Sequence, residues 1–250
     1  RQRVRGEPDT APQPLPLDLG VLHRPGRENA FADVDDLLAD AKARGIDVDR
    51  APRIAVAVHS THFLLQQPRV VQALVEALDR RGALAFAAID GGEGLDGRAY
   101  ETAMLRLKPA VVIHPCHSTE KVPFRDALDA VHVHSVFFRS QSIDDWRGST
   151  TGIAPSEIMF QVATQEMLGA IAPIPTCGTT RGGGSDEEFT PIPDRIERVV
   201  GRAMALARLR QKAPAEKKVA IIYYDREASR SSLMRGSPTG MMLNAPPSLL

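Results

Sequence analysis

Four of the seven histidines fall in two pairs of equal spacing, His59 with His62 and His114 with His117. Cys116, Ser118 and Glu120 stand beside the second pair. Imidazole, thiolate and carboxylate are donors suited to a borderline divalent cation such as Zn2+ or Co2+. Each pair follows a short apolar run, so the competing reading is of polar residues at strand ends that hydrogen-bond nearby backbone. His132 and His134 alternate along a third run and share one strand face. That face reads as half-exposed or ligand-facing rather than as a pair of metal ligands. His23 carries no signal alone.

Arg226, Arg230 and Arg235, with Ser229, Ser231 and Ser232, follow the last apolar run. Guanidinium forks there would suit the carboxylates of an anionic ligand; a solvated surface loop is the equal alternative. Gly182 to Gly184 lead into Ser185, Asp186, Glu187 and Glu188. A phosphate loop needs a Lys and a Ser or Thr opening a helix, and this acidic stretch reads as a flexible linker. No Gly-x-Ser-x-Gly elbow follows a strand, and Cys116 beside His117 does not by itself make a nucleophile and base.

These residues need elements to position them. Phe31, Val34, Leu37, Leu38 and Ala41 recur at helical spacing, with Gly45 as a stop. The period then changes to a strand over 54–58, a helix over 70–80 and strands over 84–89, 110–113 and 131–138. Helices over 98–107 and 123–130 come between the later strands. This β-α-β-α-β-α-β order predicts an α/β fold with a parallel, flavodoxin-like or Rossmann-like sheet. In a flavodoxin-like order the first and third of these strands are neighbours. Their carboxyl ends, with both histidine pairs, then flank the crevice where open sheets bind ligands. Helices are also expected over 155–168 and 193–209, and a further strand over 219–224.

The boundaries expected are an extended arm and helix over 1–50, a first α/β domain over 51–148, a helical connector with a mobile Gly-rich loop over 149–215, and the start of a second α/β domain over 216–250. That last unit reads as unfinished at Leu250. The chain has 250 residues, 43% hydrophobic, with formal net charge zero. Such a balance gives no general grip on nucleic acid. Two distant cysteines, Cys116 and Cys177, fit a reducing, cytoplasmic setting. No apolar run approaches the ~20 residues that span a bilayer.

From Ser140 onward a family resemblance emerges. Ser140 to Trp146, Gly152 to Pro155, Gln161 to Glu166 and Gly169 to Pro173 resemble, in order and spacing, the large subunit of cobalt and magnesium chelatases, the CobN/BchH family. Pro191 to Arg195, Glu216 to Ile222 and Leu243 to Pro246 continue it, and Leu19 to Pro25 resembles its entry. The likeness picks out Trp146, Glu166 and Gly169. The chain departs from the pattern at Gln165 to Gly169, where the family often shows Pro-Glu-Leu-Asp-Gly, at Ala154, where Ser or Thr commonly caps the next helix, and in the loop over 225–242.

The resemblance implies a tetrapyrrole-binding subunit that takes part in ATP-dependent insertion of Co2+ or Mg2+, with cobalamin-type biosynthesis favoured. It also implies partner AAA+ and integrin-I-like subunits that hydrolyse the ATP. His59, His62, His114, His117 and Glu120 are candidates for the metal or tetrapyrrole crevice by residue type only. The alternative is a non-catalytic α/β module that binds a small ligand or metal.

Overall fold

The computed structural model describes residues 20–27, 29–60, 68–90, 97–115, 120–181 and 189–220. The chain divides into two units, Arg1–Gln211 and Lys212–Leu250. Described residues of the second unit hold one 3-10 turn, Pro214–Glu216. His62, His117, Arg226, Arg230 and Arg235 lie outside the described residues, as do the 182–184 glycines and the strand expected over 219–224 beyond Ala220.

Among the described residues, the first unit is built on one seven-stranded sheet in the order β1-β3-β2-β4-β5-β6-β7. Its strands are β1 (Leu22–His23), β2 (Arg53–His59), β3 (Leu84–Asp90), β4 (Val111–His114), β5 (Val131–Ser142), β6 (Ile171–Thr179) and β7 (Thr190–Pro191). Strands β3, β2, β4, β5 and β6 run parallel, and the short β1 and β7 close the edges antiparallel. The expected α/β class holds. The sequence order reverses between β2 and β4, so these two strands are neighbours, as the flavodoxin-like reading requires.

Continuous apolar runs make these strands because both sheet faces are covered. Ile54, Val56, Val58, Val111, Ile113 and Val133 face one way, against α2 (Pro68–Asp79) and α7 (Pro193–Gln211). Ala55, Ala57, Phe86, Ala88 and Val112 face the other, against α1 (Val34–Ala43), α3 (Gly97–Leu107) and α4 (Val122–Leu128). Gly82 ends α2 at φ +76, the left-handed stop that glycine adopts without steric cost. Helix α7 carries Ile196, Val199, Val200, Ala203 and Ala207 as its buried stripe. Asp194 in its first turn and Arg208 and Arg210 in its last suit the helix dipole.

Two stretches differ from the sequence reading. Strand β6 is not among the expected elements, because its residues fall within the helical connector expected over 149–215. Pro173 and Pro175 fall in its half-exposed first part, and its last residues, Thr176 to Thr179, are buried between β5 and β7. Ser142 also caps a short helix, α5 (Ile143–Gly148), by accepting from Asp145 N. The helix expected over 155–168 forms as α6, but with a π turn inside it: Pro155–Ile158, Met159–Ala163 and Thr164–Met167. Ala154 precedes it with no side-chain cap.

Gly178 is needed for space. A Cβ there would lie 2.5 Å from the fully buried Phe138 ring. Gly178→Ala is expected to destabilise the unit by about 1–3 kcal/mol, the usual cost of overpacking. Thermal unfolding of the variant beside the parent measures it, and an unchanged Tm would show that the ring moves freely.

Candidate functional site

The alternation of side chains along a strand sets the site. Register pairs Ala55 with Val112, Val112 with His132 and His114 with His134. By the same alternation His59, two residues beyond Ala57, points to that face too. Four histidines, His59, His114, His132 and His134, therefore share the sheet face covered by α3 and α4, near the carboxyl ends of β2 and β4. His59 is half-buried, whereas His114, His132 and His134 are buried.

His114 Nε2 and His132 Nδ1 lie 2.8 Å apart. Their rings are within 15° of parallel, with centroids 5.1 Å apart. A 2.8 Å contact reaches that separation only when both nitrogens lie on the line between the ring centres. The rings therefore meet head-on, nearly coplanar, through one N–H···N bond. Burial, then the Arg125 guanidinium and His134, push His114 well below its ordinary pKa. Burial, His114 and Arg125 push His132 down to about 3, against an opposing pull from Glu120. Both rings are neutral near pH 7 and share one proton between the facing nitrogens.

Glu120 completes the cluster from the entrance to α4. Its Oε2 is 3.6 Å from both His114 Nε2 and His132 Nδ1. Arg125, from α4, donates from Nε to the same oxygen at 3.1 Å and from Nη1 to the Leu168 carbonyl at 2.5 Å. Tyr100, from α3, donates its hydroxyl to Glu120 Oε1. Arg125 Nη2 and His132 Nε2 are buried with no hydrogen-bond partner among the described residues. Such orphans mark a place where a further group or water is accommodated.

Among the described residues, His114, Glu120 and His132 are the one set of three or more whose donor atoms approach closely enough for a metal ion. Only the half-exposed part of the reading of His132 and His134 is corrected: both are buried, and His132 is in the cluster. Of the five crevice candidates, the structure brings His114 and Glu120 together. His59 is on the same face but supplies no donor to that set, and His62 and His117 lie outside the described residues. Tyr100, Arg125 and His132 join only through the fold. One signal for Arg125 was present: it stands between Phe124 and Leu128, which are core residues of α4.

The residues picked out by resemblance take other places. Trp146 packs on Phe138, with the Arg195 guanidinium over its ring at 5.1 Å. Glu166 is exposed on α6, and Gly169 follows that helix at φ +83.

Residues 1–250 match the family described as CobN/Magnesium Chelatase. The H-type magnesium-chelatase subunit from Chlorobaculum parvum is 24% identical over 223 residues, covering 83% of this chain and 17% of that protein. Its counterpart from Rhodobacter capsulatus is 27% identical over 196 residues, covering 68% of this chain and 16% of that protein. The chain thus spans about one sixth of the length of these relatives. A catalytic subunit of cobaltochelatase from Mycobacterium tuberculosis shares the fold with a TM-score of 0.56 and 24% identity, over 67% of this chain and 15% of that one.

Proposed function

Because the chain belongs to the CobN/magnesium chelatase family, we propose that it forms part of the tetrapyrrole-binding large subunit of a metal chelatase. The family match across residues 1–250 carries this reading. The metal is substrate: Co2+ is our first choice and Mg2+ the second. In this reading ATP is hydrolysed by partner AAA+ and integrin-I-like subunits, and this region is scaffold on one side of the macrocycle cavity. Insertion requires that two pyrrole N–H protons leave and that a hydrated cation shed water, which calls for a base and for metal ligands near the ring.

The test is a porphyrin titration of the complete gene product, followed by fluorescence quenching. Saturable quenching is expected. Its absence would remove the reading. With the partner subunits and ATP added, Co2+ and Mg2+ are then compared by the absorption change that accompanies insertion.

A further inference from the structure

We propose that His114, His132 and Glu120 form a binding site for one borderline divalent cation of the Zn2+ or Co2+ kind, which takes the place of the proton the two imidazoles share. The site is separate from the tetrapyrrole reading and does not rest on it.

The carrying observation is the triangle of donor atoms. His114 Nε2, His132 Nδ1 and Glu120 Oε2 are separated by 2.8, 3.6 and 3.6 Å. That triangle is about 3.3 Å high, so the point equidistant from its corners lies about 2.0 Å from each (3.6 squared over twice 3.3), within the zinc bond range of about 2.0–2.2 Å. Two imidazoles and one carboxylate leave a fourth position open, as in metal sites that keep an exchangeable ligand. The far oxygen of Glu120 is already held by Tyr100, an outer contact of the kind that orients a ligating carboxylate.

The proton balance is simple. The cation displaces the one proton of the bond between the rings, and the far nitrogen of the ring that carried it takes it up. His132 Nε2, buried and without a hydrogen-bond partner among the described residues, is one such nitrogen. Two features hold the affinity below that of a structural zinc site. Each ring must turn by about 45° from its head-on alignment to aim at the equidistant point. The Arg125 charge, bonded to the same Glu120 oxygen, also repels a dication.

The test is titration of the 250-residue chain with Co2+, read by the visible absorption of cobalt in a low-coordinate nitrogen and oxygen site. One equivalent that Zn2+ displaces is expected. His132→Ala and Glu120→Gln should each weaken it at least tenfold, and His23→Ala should leave it unchanged. A second readout needs no variant: Zn2+ added to the parent chain should move the ring nitrogen signals of His114 and His132 in a histidine-selective NMR spectrum. No stoichiometric cobalt spectrum, undiminished binding by folded His132→Ala, or shifts confined to other histidines would overturn the site. None of those outcomes bears on porphyrin binding, which is measured separately.

Discussion

Arg125→Met is expected to destabilise the first unit by about 3–5 kcal/mol, the cost of breaking a buried ion pair from one side. Glu120 and Arg125 are both buried, and the guanidinium reaches the carboxylate through Nε and the Leu168 carbonyl through Nη1. Methionine fills a similar volume but removes the charge, the carboxylate contact and the tie from α4 to the end of α6. The carboxylate then stays buried without its guanidinium. The double variant Glu120→Gln, Arg125→Met is expected to recover most of the loss, because no charge is left in the site. Glutamine still offers an oxygen to the Tyr100 hydroxyl. Urea unfolding of the parent, the single and the double variants gives the comparison. A single variant within about 1 kcal/mol of the parent would show that the pair behaves as an exposed one does.

The second large effect is on acid stability in the absence of metal. His132 titrates at about 3 when folded and near 6.5 when unfolded. His114 is likewise held well below its ordinary value. A base with a depressed folded pKa binds fewer protons in the native state than in the unfolded one. Stability is therefore fully present above about pH 6.5 and is lost as the pH falls from there toward 3. A ring that stays neutral in the fold adds up to one proton to the slope, about 1.4 kcal/mol per pH unit. His132→Gln should remove one proton's share, about 1.4 kcal/mol per pH unit. Urea midpoints from pH 7 to pH 4.5 measure both slopes. Parallel curves for parent and variant would show that His132 is not held neutral.

The sheet was legible because its strands are uninterrupted apolar runs separated by amphipathic helices with glycine stops. Ile54 to Val58 and Leu84 to Ile89 cannot be exposed on either face, and that alone calls for helices on both. The adjacency of β2 and β4, and hence the place of His59 and His114, followed from the chain order. What could not be read was the diagonal. His114 stands level with His134 across the strand boundary but bonds to His132 one step down, a choice made by side-chain rotamers and by Glu120 and Arg125 arriving from α4. Strand β6 was hidden for a different reason. Its prolines lie where it is half-exposed, so its signal is that of an edge although its end is buried. The π turn in α6 leaves no mark in Met159 to Ala163, whose residue types fit an ordinary helix.

Helix α7 has a consequence for how the unit comes into being. It supplies one wall of the core around Ile54, Val56 and Val133. Its Glu197 holds Arg80 and Arg81, and its last residue, Gln211, reaches the Arg50 carbonyl. These partners are 117, 116 and 161 residues apart in the chain. Pairings so distant in sequence raise the contact order and slow folding. During synthesis the early strands emerge long before the helix that shields them. Strands β2 to β4 therefore wait with one apolar face only partly covered, by α2, and this interval is when the nascent chain is most exposed to aggregation and most in need of a chaperone.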